Sequence, residues 1–439
     1  MTDTTKDIEL VRESLRMALQ AGADKARATL CRSEEDLVAT LNGEVDRITR
    51  CEDSSLSFAL FADGRFGTFS TNKLDRDSLR DFLESSVKTV RTISRDECRD
   101  LPETQRCCTT AITGDELCLT DCHRADITPQ KRILMALDAS VYGEGILSEE
   151  GEYSDSLYKT VLMDTDGVLC LHSETSFDYG VEITIEKDGE RYSGYWWDSA
   201  SHLDGLDAAS CGKKALARAK AQIGSEAAGS GKYNMVVDSE VASKMVSPIL
   251  RALNAFSIQQ NSSFLVDSLG KRLFPDGLTI MDLPHIKGQT CSKLFDSEGV
   301  ATSEAPIIKK GEVCEYFVNT YMSRKLGIAP TVEDATRPKV MPWPRVGLGK
   351  DEIMRMCGDG ILVTDFNGGN SNPVTGDFSY GVEGFLFKDG KITRPVSGML
   401  VTGNFLSLWS GLIAAGDDAR GCMSKLIPTL AFADVDFSG

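Results

Sequence analysis

Apolar residues recur at Ile8, Val11, Leu15, Ala18 and Leu19. Spaced by about one helical turn, they share a face, so Asp7 to Ala21 is predicted to form an amphipathic helix stopped at Gly22. The period then shortens to two. Ala26 to Leu30, Leu37 to Leu41 and Leu56 to Phe61 read as strands, and Asp63-Gly64 as a tight turn into Phe66 to Phe69. Ser78 to Val90 reads as a second helix. A meander between helices indicates antiparallel pairing, because parallel strands need a crossover between them.

Ser94 to Pro129 is polar, cysteine-rich and aperiodic, and is expected to run over the surface as a long connection. Lys131 to Ala139 resumes as a helix. Strands are expected near Tyr158 to Met163, Val168 to Ser173, Val181 to Ile185 and Arg191 to Trp197, with turn signals at Asp166-Gly167 and Asp188-Gly189. Val181, Ile183 and Ile185 alternate with Glu182, Thr184 and Glu186, giving one buried and one wet face. Gly205 to Ile223 reads as another helix. The second hairpin and its helix loosely repeat the first, as if one unit occurred twice, over residues 1–94 and 130–228 joined by the polar connection 95–129.

The small, glycine-rich stretch Ala227 to Lys232 marks the expected domain boundary. The predicted fold class is α+β: an N-terminal domain, residues 1–228, of helices packed on antiparallel sheet, then a β-rich C-terminal domain, residues 229–439. The latter opens with a strand at Met235 to Val237 and a helix from Ser239 to Phe256.

Of 439 residues, 41% are apolar and 26% charged, the composition of a soluble globular protein. With 66 acids against 48 Lys plus Arg, the net charge is −18, which argues against direct nucleic-acid binding, since phosphate is bound by clustered cations. No stretch approaches the ~20 apolar residues of a membrane helix. The first ten residues carry Asp3, Lys6, Asp7 and Glu9 without an apolar run, so no signal or transit segment is read there and a cytoplasmic location is expected. Thirteen cysteines, odd in number and irregular in spacing, are expected to be reduced thiols.

Zinc hydrolases usually present two His on one helix face with an adjacent Glu. His123, His172, His202 and His285 lie far apart in sequence, which argues against a His-based zinc site. Cys107, Cys108, Cys118, Cys122 and His123 form a metal-like cluster, but the spacing matches no zinc finger and a loop with incidental thiols is the favoured reading. Gly229-Ser230-Gly231-Lys232-Tyr233 imitates a phosphate loop but has Glu226 for its first Gly and Tyr233 for its Ser or Thr, so it reads as a linker. Asp164 and Asp166 before Gly167 read as a hairpin turn rather than a calcium loop. The densest unusual segment runs from Gly358 to Asn404. Its glycines, among them Gly376 and Gly381, let backbones approach, and Asn372, Thr375, Asp377 and Ser379 add short polar groups. These six residues are the peptide-binding candidates; the structural alternative is a strand-and-bulge device.

The stretch NPVTGDFSYGVEGFLFKDGKITRPVSGMLVTGN from Asn372 to Asn404 resembles the C-terminal signature of the TldD/PmbA family. ALFADGRFGTFSTNKLDRDSLRDF from Ala59 to Phe82, SSFLVDSLGKRLF from Ser262 to Phe274, LFDSEGVATSE from Leu294 to Glu304 and SRKLG from Ser323 to Gly327 extend the resemblance over nearly the whole chain. The family has a subunit with an H-E-x-x-x-H zinc helix and a subunit, PmbA or TldE, without it. The corresponding helix here, VASKMVSPILRAL from Val241 to Leu253, contains neither His nor Glu, and Cys422 stands about where a further zinc ligand is expected. A single thiolate does not hold zinc tightly.

The resemblance is thus to the metal-less branch. It implies a cytoplasmic dimer enclosing a chamber where the zinc subunit cuts short or unfolded peptides. This chain would form part of the wall, with no cofactor or catalytic residue of its own and zinc only in a TldD-like partner. Members are linked to maturation of an antibacterial peptide, to antitoxin turnover and, by an early name, to modulation of DNA gyrase. The alternative is a homodimeric peptide-binding or regulatory protein without hydrolysis. A thiol hydrolase would need a Cys and His pair that the sequence does not reveal.

Overall fold

The structure is a computed structural model and describes residues 3–439. Helix α1 (Asp3–Gln20) is followed by β1 (Lys25–Leu41), β2 (Glu44–Ala62), β3 (Arg65–Thr71) and α2 (Arg76–Val90). After an irregular connection come α3 (Pro129–Ala139), β4 (Ile146–Asp164), β5 (Leu169–Lys187), β6 (Glu190–Ala200) and α4 (Ala208–Ala221). The six strands form one antiparallel sheet in the order β3-β2-β1-β4-β5-β6, so the two three-stranded meanders meet back to back at β1 and β4. Two-residue turns with both residues at positive φ close three of its hairpins: Asn42-Gly43, Asp63-Gly64 and Asp188-Gly189.

Side chains alternate across this sheet. Ala26, Ala28 and Leu30 of β1 and Leu56, Phe58 and Leu60 of β2 pack under Val11, Leu15 and Ala18 of α1 and Leu79, Leu83 and Val87 of α2. Val38, Tyr179, Val181 and Ile183 do the same under Ala136 of α3 and Cys211, Ala215 and Ala219 of α4. At Gly194 a Cβ would lie 2.2 Å from the Ala215 carbonyl oxygen, so glycine sets how closely α4 approaches β6.

Three expectations are corrected. The segments Ala26 to Leu30 and Leu37 to Leu41 belong to one strand, β1, and the expected strands Val168 to Ser173 (from Leu169 on) and Val181 to Ile185 belong to β5. The charged middle of β1 does not break it because both neighbouring strands pair throughout and its acids find buried cations: Arg124 and Arg132 reach Asp36, and Arg132 grips Asp155 of β4 at 2.6 and 2.9 Å. Second, the connection 95–129 is not a surface excursion. Leu101, Cys107, Cys108, Ala111, Leu117, Leu119 and Ile127 are buried, and its backbone completes the edge of β5. Third, Ser239 to Phe256 is two short helices, since the first ends at Ala252 and Asn254 caps the second by accepting from the Phe256 N–H.

The remainder opens with β7 (Gly231–Val237), α5 (Ser243–Ala252) and α6 (Ala255–Gln259). A small antiparallel sheet of β8 (Ile280–Asp282), β9 (Ala305–Lys309), β10 (Glu312–Val313) and β11 (Pro338–Val340) surrounds α7 (Thr320–Leu326) in sequence. Then come α8 (Lys350–Cys357), β12 (Gly360–Ser371), β13 (Asp377–Lys388), β14 (Lys391–Asn404), α9 (Phe405–Ser410), β15 (Leu412–Ala415) and β16 (Leu430–Ser438). The order β14-β13-β12-β7-β16 closes into a barrel through β14–β16 pairing, with β15 on the outer side of β16. Only β12 and β7 pair in parallel among the described ladders; the rest are antiparallel, so the chain is α+β. Met245, Val246 and Ile249 of α5 share one core with Val363, Val382, Val401 and Phe432 of the barrel.

Candidate functional site

The helices cover one face of the six-stranded sheet. The opposite face carries Thr29 and Cys31 of β1, Ser57 of β2, Tyr158 and Thr160 of β4, and His172 and Glu174 of β5. These residues form one wall of a cleft of about 700 Å³. Its other wall comes from residues distant in sequence, including Cys291, Lys293, Phe295, Asp296, Glu333, Asp334 and Thr336. Mixed apolar and polar lining, assembled between two bodies of structure, is the usual character of a ligand cleft.

Within it the Tyr158 hydroxyl donates to Cys31 Sγ at 3.1 Å, and His172 Nε2 lies 3.4 Å from Glu174 Oε2. Burial works to raise the Glu174 carboxyl, but the His172 contact and the Lys293 charge hold it below the ordinary carboxylate range. Asp296 behaves oppositely: burial, with Glu333 and Glu298 nearby, pushes it up to about 7. Burial likewise raises Asp334, against a bond from Asn254. Cys31 and His172 both lie directly opposite Thr160, so one strand stands between thiol and imidazole and they form no nucleophile–base contact. The site can bind extended chain through hydroxyls and carboxyls and can hold a proton near neutrality at Asp296.

The same face continues along the sheet into an open trough of about 720 Å³ lined by Arg47, Glu150, Glu152, Asp178, Glu182, Tyr195 and Trp197. Four carboxylates against one guanidinium among these residues favour cationic groups.

Zinc would need nitrogen, sulfur or carboxylate ligands on α5. Its inward side chains are Met245, Val246, Ile249 and Leu250, and on the rest of the helix Lys244 lies 4.7 Å over the Tyr380 ring. This donor set does not fit zinc. The histidines stay apart: His123 is near Asp126, His202 near Ser201, and His285 near Thr302. Cys422 lies near Arg420, Asp198 and Arg337. Of the cysteine cluster, Cys107 and Cys108 are buried with Cys170, while Cys118 and Cys122 are exposed. Asp164 accepts from the N–H groups of Asp166 and Val168, closing the turn between β4 and β5.

Asn372, Thr375, Gly376 and Asp377 are brought together in the turn between β12 and β13. The N–H of Asn372 donates to the Asp377 carbonyl at 2.7 Å, and Thr375 Oγ1 donates to Asp377 Oδ2 at 2.6 Å. Asn404 Nδ2 donates to the Thr375 carbonyl and to Asp377 Oδ1. Gly376 has φ +80°, and its carbonyl accepts from Phe405. Ser379 and Gly381 lie apart on β13, Ser379 exposed and Gly381 buried where a Cβ would meet the Asn367 carbonyl oxygen at 2.3 Å. The cleft residues escape sequence inspection because they come from four strands and two loops; the legible trace is the polar odd-numbered series Thr29, Cys31, Ser33 and Glu35 in β1.

A six-stranded sheet with helices on one face and a cleft on the other, followed by a barrel, defines the architectural class. The chain belongs to the PmbA/TldA metallopeptidase family: residues 230–439 match its C-terminal domain and residues 123–223 its central domain. It is 26% identical to the metalloprotease PmbA of Escherichia coli O157:H7, covering 97% of this chain and 96% of that one. A crystal structure from Bacteroides thetaiotaomicron, described as a candidate modulator of DNA gyrase, is 36% identical with a TM-score of 0.94, covering 100% of this chain and 99% of the other. TldE from Thermococcus kodakarensis shares the fold at 17% identity and a TM-score of 0.83, with 98% and 100% covered. Among the described residues no helix is long and apolar enough to cross a membrane.

Proposed function

We propose that this chain is the metal-less, peptide-holding subunit of a peptidase complex of its family, which processes or degrades short or unfolded peptides. The zinc and the cleavage chemistry reside in a TldD-like partner. The observation that carries this reading is α5, whose sequence places Met245, Val246, Ile249 and Leu250 where a metal-binding helix needs ligands. Without a metal to acidify water or polarise the carbonyl, and with Thr160 between Cys31 and His172, the chain lacks a nucleophile for neutral amide hydrolysis. Its own residues bind and orient instead. The part of the sheet face that lines the cleft presents hydroxyls to an extended backbone, and the trough carboxylates attract cationic side chains or an amino terminus. Peptide contact is assigned to this face rather than to the turn 372–377, whose polar groups bond one another.

The test is zinc content by elemental analysis, with cleavage of unfolded peptides measured with and without chelator, for the chain alone and mixed with a zinc-bearing relative. The chain alone should hold far less than one zinc per chain and cleave nothing, and the mixture should cleave. Stoichiometric zinc with chelator-sensitive cleavage by this chain alone overturns the reading.

A further inference from the structure

Cys170, His172 and Glu174 alternate onto one face of β5, and the last two line the cleft. Cys170 lies just beyond the cleft's end, where the connection 95–129 covers the sheet. There Cys107, Cys108 and Ala111 pack with it against Leu162 and Phe295, which are themselves cleft residues. Cys170 is fully buried, and Cys107 and Cys108 are only 6% and 5% exposed. All are free thiols, and nothing assigned to the cleft uses them.

The Cys170 thiol meets Cys108 at two atoms: it donates to the Cys108 carbonyl oxygen at 3.4 Å and is in hydrogen-bond contact with the Cys108 sulfur. That sulfur also lies 3.5 Å from Thr110 Oγ1 and accepts from the N–H groups of Thr110 and Ala111. Donors converging on one sulfur favour its thiolate. The Cys170 contact above all, helped by Thr110 and Ala111, brings Cys108 down to about 5 against the effect of burial. The same contact, with burial, pushes Cys170 up, so one sulfur is ionised at neutral pH while the other keeps its proton. Cys107 is placed differently: its thiol donates to the Glu103 carbonyl at 3.7 Å, and burial pushes it up to about 11. A thiolate against a thiol is the arrangement of an oxidisable cysteine beside its resolving partner. Buried behind the cleft wall, Cys108 is out of reach of a peptide carbonyl, whereas hydrogen peroxide is little larger than water.

The pair is also tied to the cleft wall. Cys107 bridges Val300, the Cys108 N–H donates to the Gly299 carbonyl at 2.9 Å, and the Ala301 N–H donates to the Arg106 carbonyl at 3.0 Å. The Val300 carbonyl in turn accepts from the N–H of Asp296, on the wall, at 2.9 Å. Forming a disulfide draws the sulfurs from contact to about 2.05 Å. β5 is held by its ladder with β4, so the connection must move, and in a close-packed interior residues 299–301 move with it.

We propose that Cys108 and Cys170 form a peroxide-sensitive pair that closes into a reversible disulfide and thereby shifts the cleft wall at residues 295–301. The Cys108 thiolate attacks one peroxide oxygen and the O–O bond breaks, leaving a sulfenic acid on Cys108 and a hydroxide that takes up the proton Cys108 had released. The Cys170 sulfur then attacks the sulfenic sulfur. The S–S bond forms, the S–O bond breaks, and the hydroxide leaves as water with the Cys170 proton. The two sulfurs lose two electrons, which reduce one peroxide to two waters, and a dithiol reverses the change. The pairing does not depend on what the cleft binds.

The test is to treat the native full chain with hydrogen peroxide, block the remaining thiols, and map disulfides by mass spectrometry. A peptide linking Cys108 to Cys170 should appear, vanish with dithiothreitol, be absent from Cys108→Ala and Cys170→Ala, and persist in Cys107→Ala. Hydrogen exchange of residues 295–301 should quicken by about tenfold or more on oxidation of the parent and stay unchanged in Cys170→Ala. The parent's map decides the matter even where a variant fails to fold. No Cys108–Cys170 link at a peroxide dose that oxidises the exposed Cys51, Cys118 and Cys122, a link made by Cys107 instead, or a link that leaves exchange at 295–301 unaltered each overturns the proposal.

Discussion

Asp296, on the cleft wall, offers a quantitative test of how the site holds a proton. Its Oδ1 accepts from the N–H groups of Glu298 and Val300 at 2.9 and 3.0 Å, and its Oδ2 from Glu333 at 3.3 Å. Burial and the carboxylates of Glu333 and Glu298 push it up to about 7, whereas in the unfolded chain it returns to about 3.9. Below about pH 4 both states are protonated. Between about pH 4 and 7 the native state keeps a proton that the unfolded state has released, so stability present at low pH is lost as pH rises through the native pKa. About three pKa units at ~1.36 kcal/mol each set a ceiling of ~4 kcal/mol, and partial solvent screening brings the expected value to ~2 kcal/mol. Asp296→Asn mimics the protonated form, keeps the Oδ1 acceptor and carries no charge. About two of the three units fall between pH 5 and pH 8, so relative to the parent chain it should gain ~1.3 kcal/mol between those values, read from urea midpoints at both. The weakened Glu333 bond is the same at either pH and cancels. An equal difference between variant and parent at both pH values refutes the reasoning.

Asp155→Ala leaves Arg124 and Arg132 buried beside an empty site and should cost ~3–5 kcal/mol in chemical denaturation; a cost below ~1 kcal/mol would show that water enters and replaces the carboxylate. Gly381→Val drives a side chain into the Asn367 carbonyl oxygen and should destabilise by ~2–3 kcal/mol or more, while Ser379→Ala, exposed two residues earlier, should stay within ~0.5 kcal/mol. Equal stability of both variants by thermal melts would mean that the bulge opposite Gly381 relaxes freely.

Local physics made part of the molecule legible in the chain. The apolar stripe ending at Gly22 became α1, and Asp63-Gly64 and Asp188-Gly189 became two-residue turns because only residues tolerant of positive φ fit there. That Val241 to Leu253 carries neither His nor Glu is likewise read directly from the chain. The lengths of β1 and β5 were not legible, because their polar middles are stabilised by strands and cations distant in sequence, Arg124 and Arg132 among them. Nor was the burial of residues 95–129, whose backbone completes β5.

Sequence by itself thus determined the periodic elements, their turns and the family signature, all of which depend on residues within a few positions of one another. Only the tertiary structure decided the barrel's closure, the cleft that sets Thr29, Thr160 and His172 opposite Asp296 and Glu333, and the meeting of Cys108 with Cys170. Each is a long-range pairing, fixed by which surfaces remain to be covered once the local elements have formed.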